Sequence, residues 1–523
     1  MYRLAIAVLA IALFSTSAAL AASPETLRLI AQADLRVLDP IWTTATITRN
    51  YGYMVYDTLF ALDNHLQVRP QMVERWTVDG DKLKYTFTLR NGLKFSDSRP
   101  VRSGDCIASL KRWSERDALG QSLAAAVAEY RIVDDTTFSI ILKKPFPLLL
   151  DALAKPDSNV PFIMPQRVAE TSSAEQIKDT TGSGPFKFVK EDWQPGHQAV
   201  FVKNPEYLPR PEPPSWAAGG KVVRVDRVEW LYLPDPGTAM AAFTVGEADW
   251  WEVPPPDFYA LLSGDPTVTL VQSSPFSVAG ILRFNQLLPP FDNVKMRQAL
   301  LYAVDQSEYM AAVAGDPKYW HTCYSFYACS GPAASDAGAE ALIGPRNIGK
   351  AKELIKEAGY NGQKIVVLDP TDVFAQHAAA LVTAELLRRL GINVDVQAMD
   401  WGTAVSRRAS EAPIDQGGWN IFTTMFPGFA ILDPGVNDPL RANGKDAWFG
   451  WPDDPLIEKL RDAWLSAPDA AERKIIAADL QREAYKSVPY IPLGEYSSRT
   501  AFHHDLVGVD TGPALFMWNV SKK

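Results

Sequence analysis

KLKYTFTLRNGLKFSDSRPVRSGDCIASLKRW, residues 82–113, carries three kinds of punctuation in succession. Leu83, Tyr85, Phe87 and Leu89 fall on one face of an extended chain while Lys84, Thr86 and Thr88 fall on the other, which is the period of a half-buried strand. The pattern predicts a sheet edge over a core. Arg90-Asn91-Gly92 supplies a residue tolerant of positive φ for a turn, and Ser96-Asp97-Ser98 closes a second turn after Leu93 and Phe95. A tight β-meander is expected. Ser103 stands where a helix N-cap belongs and Asp105 lies in the first turn. Cys106, Leu110 and Trp113 recur at helical spacing, so this helix docks on the meander.

Outward from this stretch, residues 1–21 combine a basic start at Arg3, an apolar run over 4–14 and the small-residue site Ala19-Leu20-Ala21. They read as a secretory signal peptide, too short in its apolar part for a spanning helix. No cysteine precedes Cys106, so lipoprotein processing has no residue to act on, and a soluble periplasmic protein is expected. A chain of 523 residues is too long for one core and implies several domains. With 52 Lys+Arg against 61 Asp+Glu the net charge is −9, which argues against nucleic-acid partners. Cys323 and Cys329 flank five residues, and in an oxidising compartment they are expected to form a disulfide. A metal at this pair would need more ligands, and His321 is the one at hand.

Four blocks, YDTLFALD, RPQMVERWTVD, TFTLRNGLKFSDSRPV and DCIASLKRW, follow one another over residues 56–113. In this order and spacing they resemble the N-terminal lobe of the extracytoplasmic solute-binding proteins of ABC importers, family 5, whose members bind dipeptides, oligopeptides, nickel or opines. The resemblance implies an α/β, two-lobed periplasmic-binding-protein fold of the large type II-like form with an inserted subdomain in the first lobe. The expected parts are a first lobe of residues 22–61, 181–285 and 488–523, an insert of 62–180, and a second lobe of 286–487. The chain is expected to cross between lobes near residues 282–285 and 488–493. Also implied are a peptide or other small-molecule ligand, an inner-membrane permease as partner, no cofactor and a monomer.

Periodicity supports an α/β second lobe independently. Residues 364–368 and 392–399 read as strands on either side of a helix over 374–390, with Ala378, Leu381, Val382 and Leu386 on its apolar face and Gly391 beyond its end. Such a unit implies parallel pairing with a right-handed crossover.

Enzyme signatures are scarce: His-Glu-x-x-His, Ser-x-x-Lys and Gly-x-Ser-x-Gly do not occur. GPRNIGKA at 344–351 has the spacing of a phosphate-binding loop but ends on Ala351 where Ser or Thr holds magnesium, so it reads as a loop before a helix. A secreted hydrolase stays open as the second class of function, because catalytic groups need not be close in sequence. The positive signal is aromatic. Trp250, Trp251, Tyr324, Tyr327, Trp401, Phe426 and Phe429 fall in loops and are the candidate ligand-binding residues of an interlobe cleft. The resemblance supports Trp250, Trp251, Phe426 and Phe429, whose loops border the ligand cavity in the family.

One departure bears on ligand chemistry. Peptide-binding members hold the peptide α-ammonium with an Asp a few residues before an acid-Pro pair. Here Asp433-Pro434 matches the pair, and Phe429 or Ala430 stands in the anchor's place. A buried ammonium without a carboxylate costs several kcal/mol. The expected ligand therefore lacks a free α-ammonium at that point or is anchored elsewhere, as a modified peptide or an opine-like conjugate would be.

Overall fold

The computed structural model describes residues 25–523; the signal peptide read in residues 1–21 lies outside the described residues. Two separate sheets organise the chain. In the first, Thr26–Ile30 lies centrally, parallel to Arg227–Leu231 on one side and to Trp250–Trp251 on the other. Antiparallel strands complete it: Gln198–Lys203 and Phe186–Phe188 beyond the first neighbour, Arg499–His503 and Val268–Gln272 beyond the second. Leu27, Leu29, Val228 and Trp230 share one face and are buried, while Arg28 and Glu229 on the other face are half-buried.

The second sheet has the order Trp320–His321, Tyr490–Tyr496, Val278–Phe284, Ile421–Pro427, Ile365–Pro370, Val394–Met399. Ile365–Pro370 and Val394–Met399 run parallel, joined through the helix Phe374–Arg389, which is the expected unit. Gly391, at φ +82°, ends that helix: its N–H donates to Arg388 O and that of Ile392 to Leu387 O. The helix is turned relative to its expected face. Gln376, Ala379, Ala380, Thr383 and Leu387 are inside together with Leu386 of the expected face, whereas Ala378 and Val382 are half-buried and Leu381 is 47 % exposed. Small residues let this helix lie close on the sheet, and that contact outweighs the hydrophobic count on the opposite face.

Sheet membership moves both crossings. Val278–Phe284 is hydrogen-bonded on both edges within the second sheet, so the first crossing falls at residues 273–277 rather than 282–285. Tyr490–Tyr496 belongs to the same sheet, so the return lies at residues 497–498 rather than 488–493. A run buried on both faces does not reveal which sheet it joins.

Lys84–Leu89 alternates buried and half-buried as its pattern requires. It is not an edge, because Val73–Val78 and Thr137–Leu142 pair with its two sides, and Val127–Ile132 follows as the fourth strand. Nor is the stretch a meander. Only Leu93, Lys94 and Phe95 separate the two turns, too few for a ladder, and the third strand arrives after the helices Ser103–Ser114 and Ala118–Ala126. The first helix begins one residue earlier than read: Arg102, not Ser103, is the cap position, and its N–H donates to the Asp105 carboxylate at 2.8 Å. Residues 344–351 prove to be a capped helix start, with Asn347 Oδ1 accepting the Lys350 N–H at 2.9 Å.

Cys323 and Cys329 are disulfide-bonded, their Cα atoms 5.9 Å apart, and Cys106 is a buried free thiol. The loop they close packs against the helix Ala470–Ser487 through Tyr327, whose ring is fully buried. In the chain-entropy account so short a loop adds about 2 kcal/mol. The double substitution Cys323→Ala with Cys329→Ala is expected to lower Tm by a few degrees while leaving a cooperative transition, measured by calorimetric unfolding; an unchanged Tm would count against a bracing role.

A candidate ligand cleft between the lobes

A cleft of about 1220 Å³, counted with its open mouth, separates the two sheets beside the crossings. Its first-lobe wall is built by the strand end carrying Trp250, by the Pro254-Pro255-Pro256 turn and by residues 510–515. Its second-lobe wall comes from Val373 to Gln376 at the start of the long helix and from Met425 and Pro427 at the end of a strand. Phe276 and Ser498, in the crossings themselves, form its floor. A narrow chamber continues from it, sharing Gln32, Thr46, Gln376 and Met425 and adding Asp157, Trp401, Arg408 and Phe426.

The seven candidate aromatics divide. Trp250 lines the cleft and donates its indole N–H to Thr500 Oγ1 at 2.6 Å, while Trp401 and Phe426 line the chamber. Phe429 stands one layer back, edge-on to Phe276 with ring centres 4.4 Å apart and against Trp216 at 5.6 Å. Trp251 is turned into the first-lobe core with Phe243 and Phe258, since adjacent residues of a strand face opposite ways. Tyr324 and Tyr327 sit in the disulfide-closed loop under the helix Ala470–Ser487, away from both cavities: Tyr324 O accepts from Tyr485 Oη, and Tyr327 is part of the core. Their loop is buried by the helix that follows in space, which a count of local periods does not detect.

Charged residues were not among the candidates, yet several line the site. Glu252 lies two residues beyond Trp250, hence on the same strand face, and this spacing was the available signal. Its carboxylate accepts Gln32 N–H at 2.9 Å and Asn50 Nδ2 at 2.8 Å and has no ion-pair partner among the described residues. Burial pushes it up to about 7, against the pull of those two donors and of Arg49. Arg49, on the helix Thr46–Val55, meets Asp157 at 2.6 Å in a buried pair. Asp510 lines the far end of the cleft; burial raises it and the Trp216 N–H it accepts at 3.0 Å lowers it. Asp433 does not reach the cavity, because its Oδ1 caps a turn by accepting the N–H groups of Gly435 and Val436.

The lobes also touch directly. Tyr232 Oη donates to Asp372 Oδ2 at 2.7 Å, and Arg36 pairs with Asp400 at 3.1 Å. Arg36 crosses above Gly402, where a Cβ would stand 2.4 Å from its Cδ, so this approach needs a glycine. Farther out, the Ala118 N–H donates to Asp438 Oδ1, and Arg441 and Arg461 both donate to Ala118 O. The structure is that of a closed cleft.

Two α/β lobes joined by a double crossing around an enclosed, mixed polar and aromatic cleft define a binding protein that closes on a solute. Residues 67–444 match the model of the bacterial extracellular solute-binding proteins, family 5, and the chain belongs to that family. It is 38% identical over 503 residues to the "Probable peptide ABC transporter periplasmic-binding protein y4tO" of Sinorhizobium fredii NGR234, covering 96% of this chain and 94% of the relative. It is 29% identical over 402 residues to the glutathione-binding protein GsiB of Salmonella typhimurium LT2, covering 75% of this chain and 74% of the relative. Among solved structures, AgaA of A. tumefaciens R10 in complex with agropinic acid superposes with a TM-score of 0.79 at 22% identity, covering 95% of this chain and 99% of that one. A dipeptide-binding protein of Pseudoalteromonas sp. SM9913 in complex with Met-Leu gives 0.77 at 20%, covering 95% and 100%. These likenesses establish the fold. The family consists of solute-binding proteins, so the chain is a transport component and not an enzyme. Among the described residues no helix is long and apolar enough to cross a membrane.

Two predictions separate cleft from core. Trp251→Ala removes packing against Phe243 and Phe258 and is expected to cost about 3–5 kcal/mol in denaturant unfolding while leaving affinity for solute unchanged. Trp250→Phe keeps the ring but loses the bond to Thr500, so it is expected to weaken solute binding at a stability cost of about 1 kcal/mol. The reverse assignment of effects would mean that the two faces are exchanged.

Glu252 gives a pH dependence. Its folded value is raised, so between about pH 4.5 and 7 the folded protein holds a proton that the unfolded chain releases, and its contribution to stability falls as pH rises through that window. Glu252→Gln removes this slope: relative to the parent it is expected to gain stability from pH 4.5 to 8, by at most about 3 kcal/mol. A difference independent of pH, followed by Tm in both proteins, would show that Glu252 titrates normally.

Proposed function

We propose that this protein works as the periplasmic, monomeric receptor of an ABC importer, capturing a small peptide or peptide-like solute between its lobes and presenting it to an inner-membrane permease. The observation that carries the reading is the cleft at the double crossing, with walls drawn from both lobes and a lining of aromatic and polar side chains. Membership of the family supports transport, and the relative named for peptide transport and the one named for glutathione support a peptide-like solute. Trp250, Trp401 and Phe426 supply flat apolar walls, with Phe429 stiffening one of them through Phe276.

A second reading, a non-peptide nutrient such as an opine-like conjugate, is favoured by one feature. At the position where peptide-binding relatives are expected to carry their ammonium anchor stand Phe429 and Ala430, both buried, and the nearby Asp433 is spent on its own turn. Any cationic group of the solute then has to find Glu252 or Asp510 on the first-lobe wall, both without ion-pair partners among the described residues.

Isothermal calorimetry against unmodified di- and tripeptides, their N-acetylated forms, glutathione and mannopinic acid decides between the readings. Binding of acetylated peptides or of the opine, at least as tight as that of free peptides, is expected. Submicromolar binding of free peptides that disappears on acetylation would overturn the expectation about the anchor, and the absence of binding to every member of the panel would overturn the peptide-like reading itself.

A further inference from the structure

Eight arginines are buried among the described residues, and seven of them are matched by carboxylates or backbone carbonyls. Arg112 makes a bidentate pair with Asp39, Arg49 meets Asp157, and Arg441 meets Glu458. Arg283, Arg297, Arg461 and Arg90 each donate to several backbone carbonyls. Arg408 is different. At 3 % exposure its hydrogen-bond acceptors are the hydroxyls of Thr43 and Thr44, at 3.2 and 3.4 Å, and its Nε has no partner.

The surroundings of Arg408 explain how an unpaired guanidinium is tolerated. The rings of Phe449, Trp448, Trp401 and Phe422 lie 5.0, 5.4, 5.6 and 6.0 Å from its central carbon. Such contacts return part of the lost hydration, but they leave a buried cation without a counter-charge. Burial lowers the group to about 9, and it remains charged at neutral pH. It also lines the chamber that opens from the main cleft through Gln32, Thr46, Gln376 and Met425. Its hydroxyl partners belong to the first lobe and Arg408 itself to the second, so the group sits where closure brings the walls together.

We propose that the chamber is an anion subsite and that Arg408 receives a carboxylate of the transported solute. This rests on the solute-receptor reading above and narrows it: the solute carries a free carboxylate, which enters the chamber while the rest of the molecule occupies the main cleft. The guanidinium Nε has no partner in the protein, and a carboxylate drawn to the group finds the threonine hydroxyls at hand as further donors. The aromatic cage fixes the guanidinium plane, so little side-chain freedom is lost on binding.

The test compares each bound member of the calorimetric panel as the free acid and as its C-terminal amide or methyl ester, in the parent protein, in Arg408→Gln and in Arg408→Lys. In the parent, neutralising the right carboxylate is expected to weaken binding about 10- to 100-fold. Arg408→Gln is expected to bind acid and amide equally, and Arg408→Lys, which keeps the charge but not the fork, to retain part of the discrimination. Circular dichroism and Tm establish that both variants are folded, and if Arg408→Gln is not, Arg408→Lys with its reduced discrimination carries the test. Acid and amide binding alike in the parent, or undiminished discrimination in the folded variants, would overturn the proposal while leaving the receptor reading intact. Failure of the parent to bind any panel member would overturn both.

Discussion

The hydrogen bonds between the two crossings set the terms for everything else. Ser273 donates both its N–H and its hydroxyl to Ser498 O, at 3.0 and 3.1 Å, so the outgoing and returning chains are tied to each other where they leave one sheet for the other. Gly512 N–H donates to Ser273 O on the far side, which anchors the first-lobe loop of the cleft to the same point. Two connections bonded side by side permit rotation about one line and resist sliding and twisting. The cleft lies directly on that line, its floor made of residues from the crossings. A small rotation there alters its width a little near Phe276 and a great deal near Trp401 and Arg408, so the chamber is the part most sensitive to closure.

What holds the lobes closed is modest. Arg36 and Asp400 are both partly exposed, and such pairs contribute about 0–1 kcal/mol. The bonds from Tyr232 to Asp372 and from the Ala118 region to Asp438, Arg441 and Arg461 exchange for water when the lobes part, so each is worth about 1 kcal/mol net. Some charges gain from opening. Asp438 is raised to about 6, by burial first and then by Asp117, with Lys155 opposing, and water reaching it relieves the burial. Opposed terms of this size are small enough for a solute with contacts on both walls to outweigh them.

The alternating strand at 84–89, the parallel unit of the second lobe and the disulfide were all legible, because each is written in local spacing: period 2, period 3.6, a pair of cysteines. What was not legible is what local spacing does not encode. Val278–Phe284 and Tyr490–Tyr496 were read as crossings and not as strands of the second sheet, since a doubly buried strand carries no polar face to mark its side. The helix Phe374–Arg389 was turned because close packing selects alanines where hydrophobicity alone selects leucine. In the site, aromatic residues announced themselves and three of seven line a cavity. Glu252 was hidden by being an ordinary acid beside two tryptophans, and Arg408 by standing at a helix C-terminus, where a basic residue normally needs no explanation beyond the helix dipole.

The polarity of the cleft follows from where these two charges stand. Glu252 is fixed to the first lobe by Gln32 and Asn50, and Arg408 is fixed to the second by its aromatic cage. Each is costly where it stands, and for opposite reasons: one is an acid driven toward its neutral form, the other a cation without a counter-charge. A solute that brings a donor to one wall and an acceptor to the other relieves both costs only when the lobes are together. A solute that satisfies one wall binds the open form as well and has no differential affinity with which to drive closure. On the proposed anion subsite, discrimination for a dipolar solute would arise from placing two unmatched charges on opposite walls of the cleft, without requiring that either contact be strong by itself.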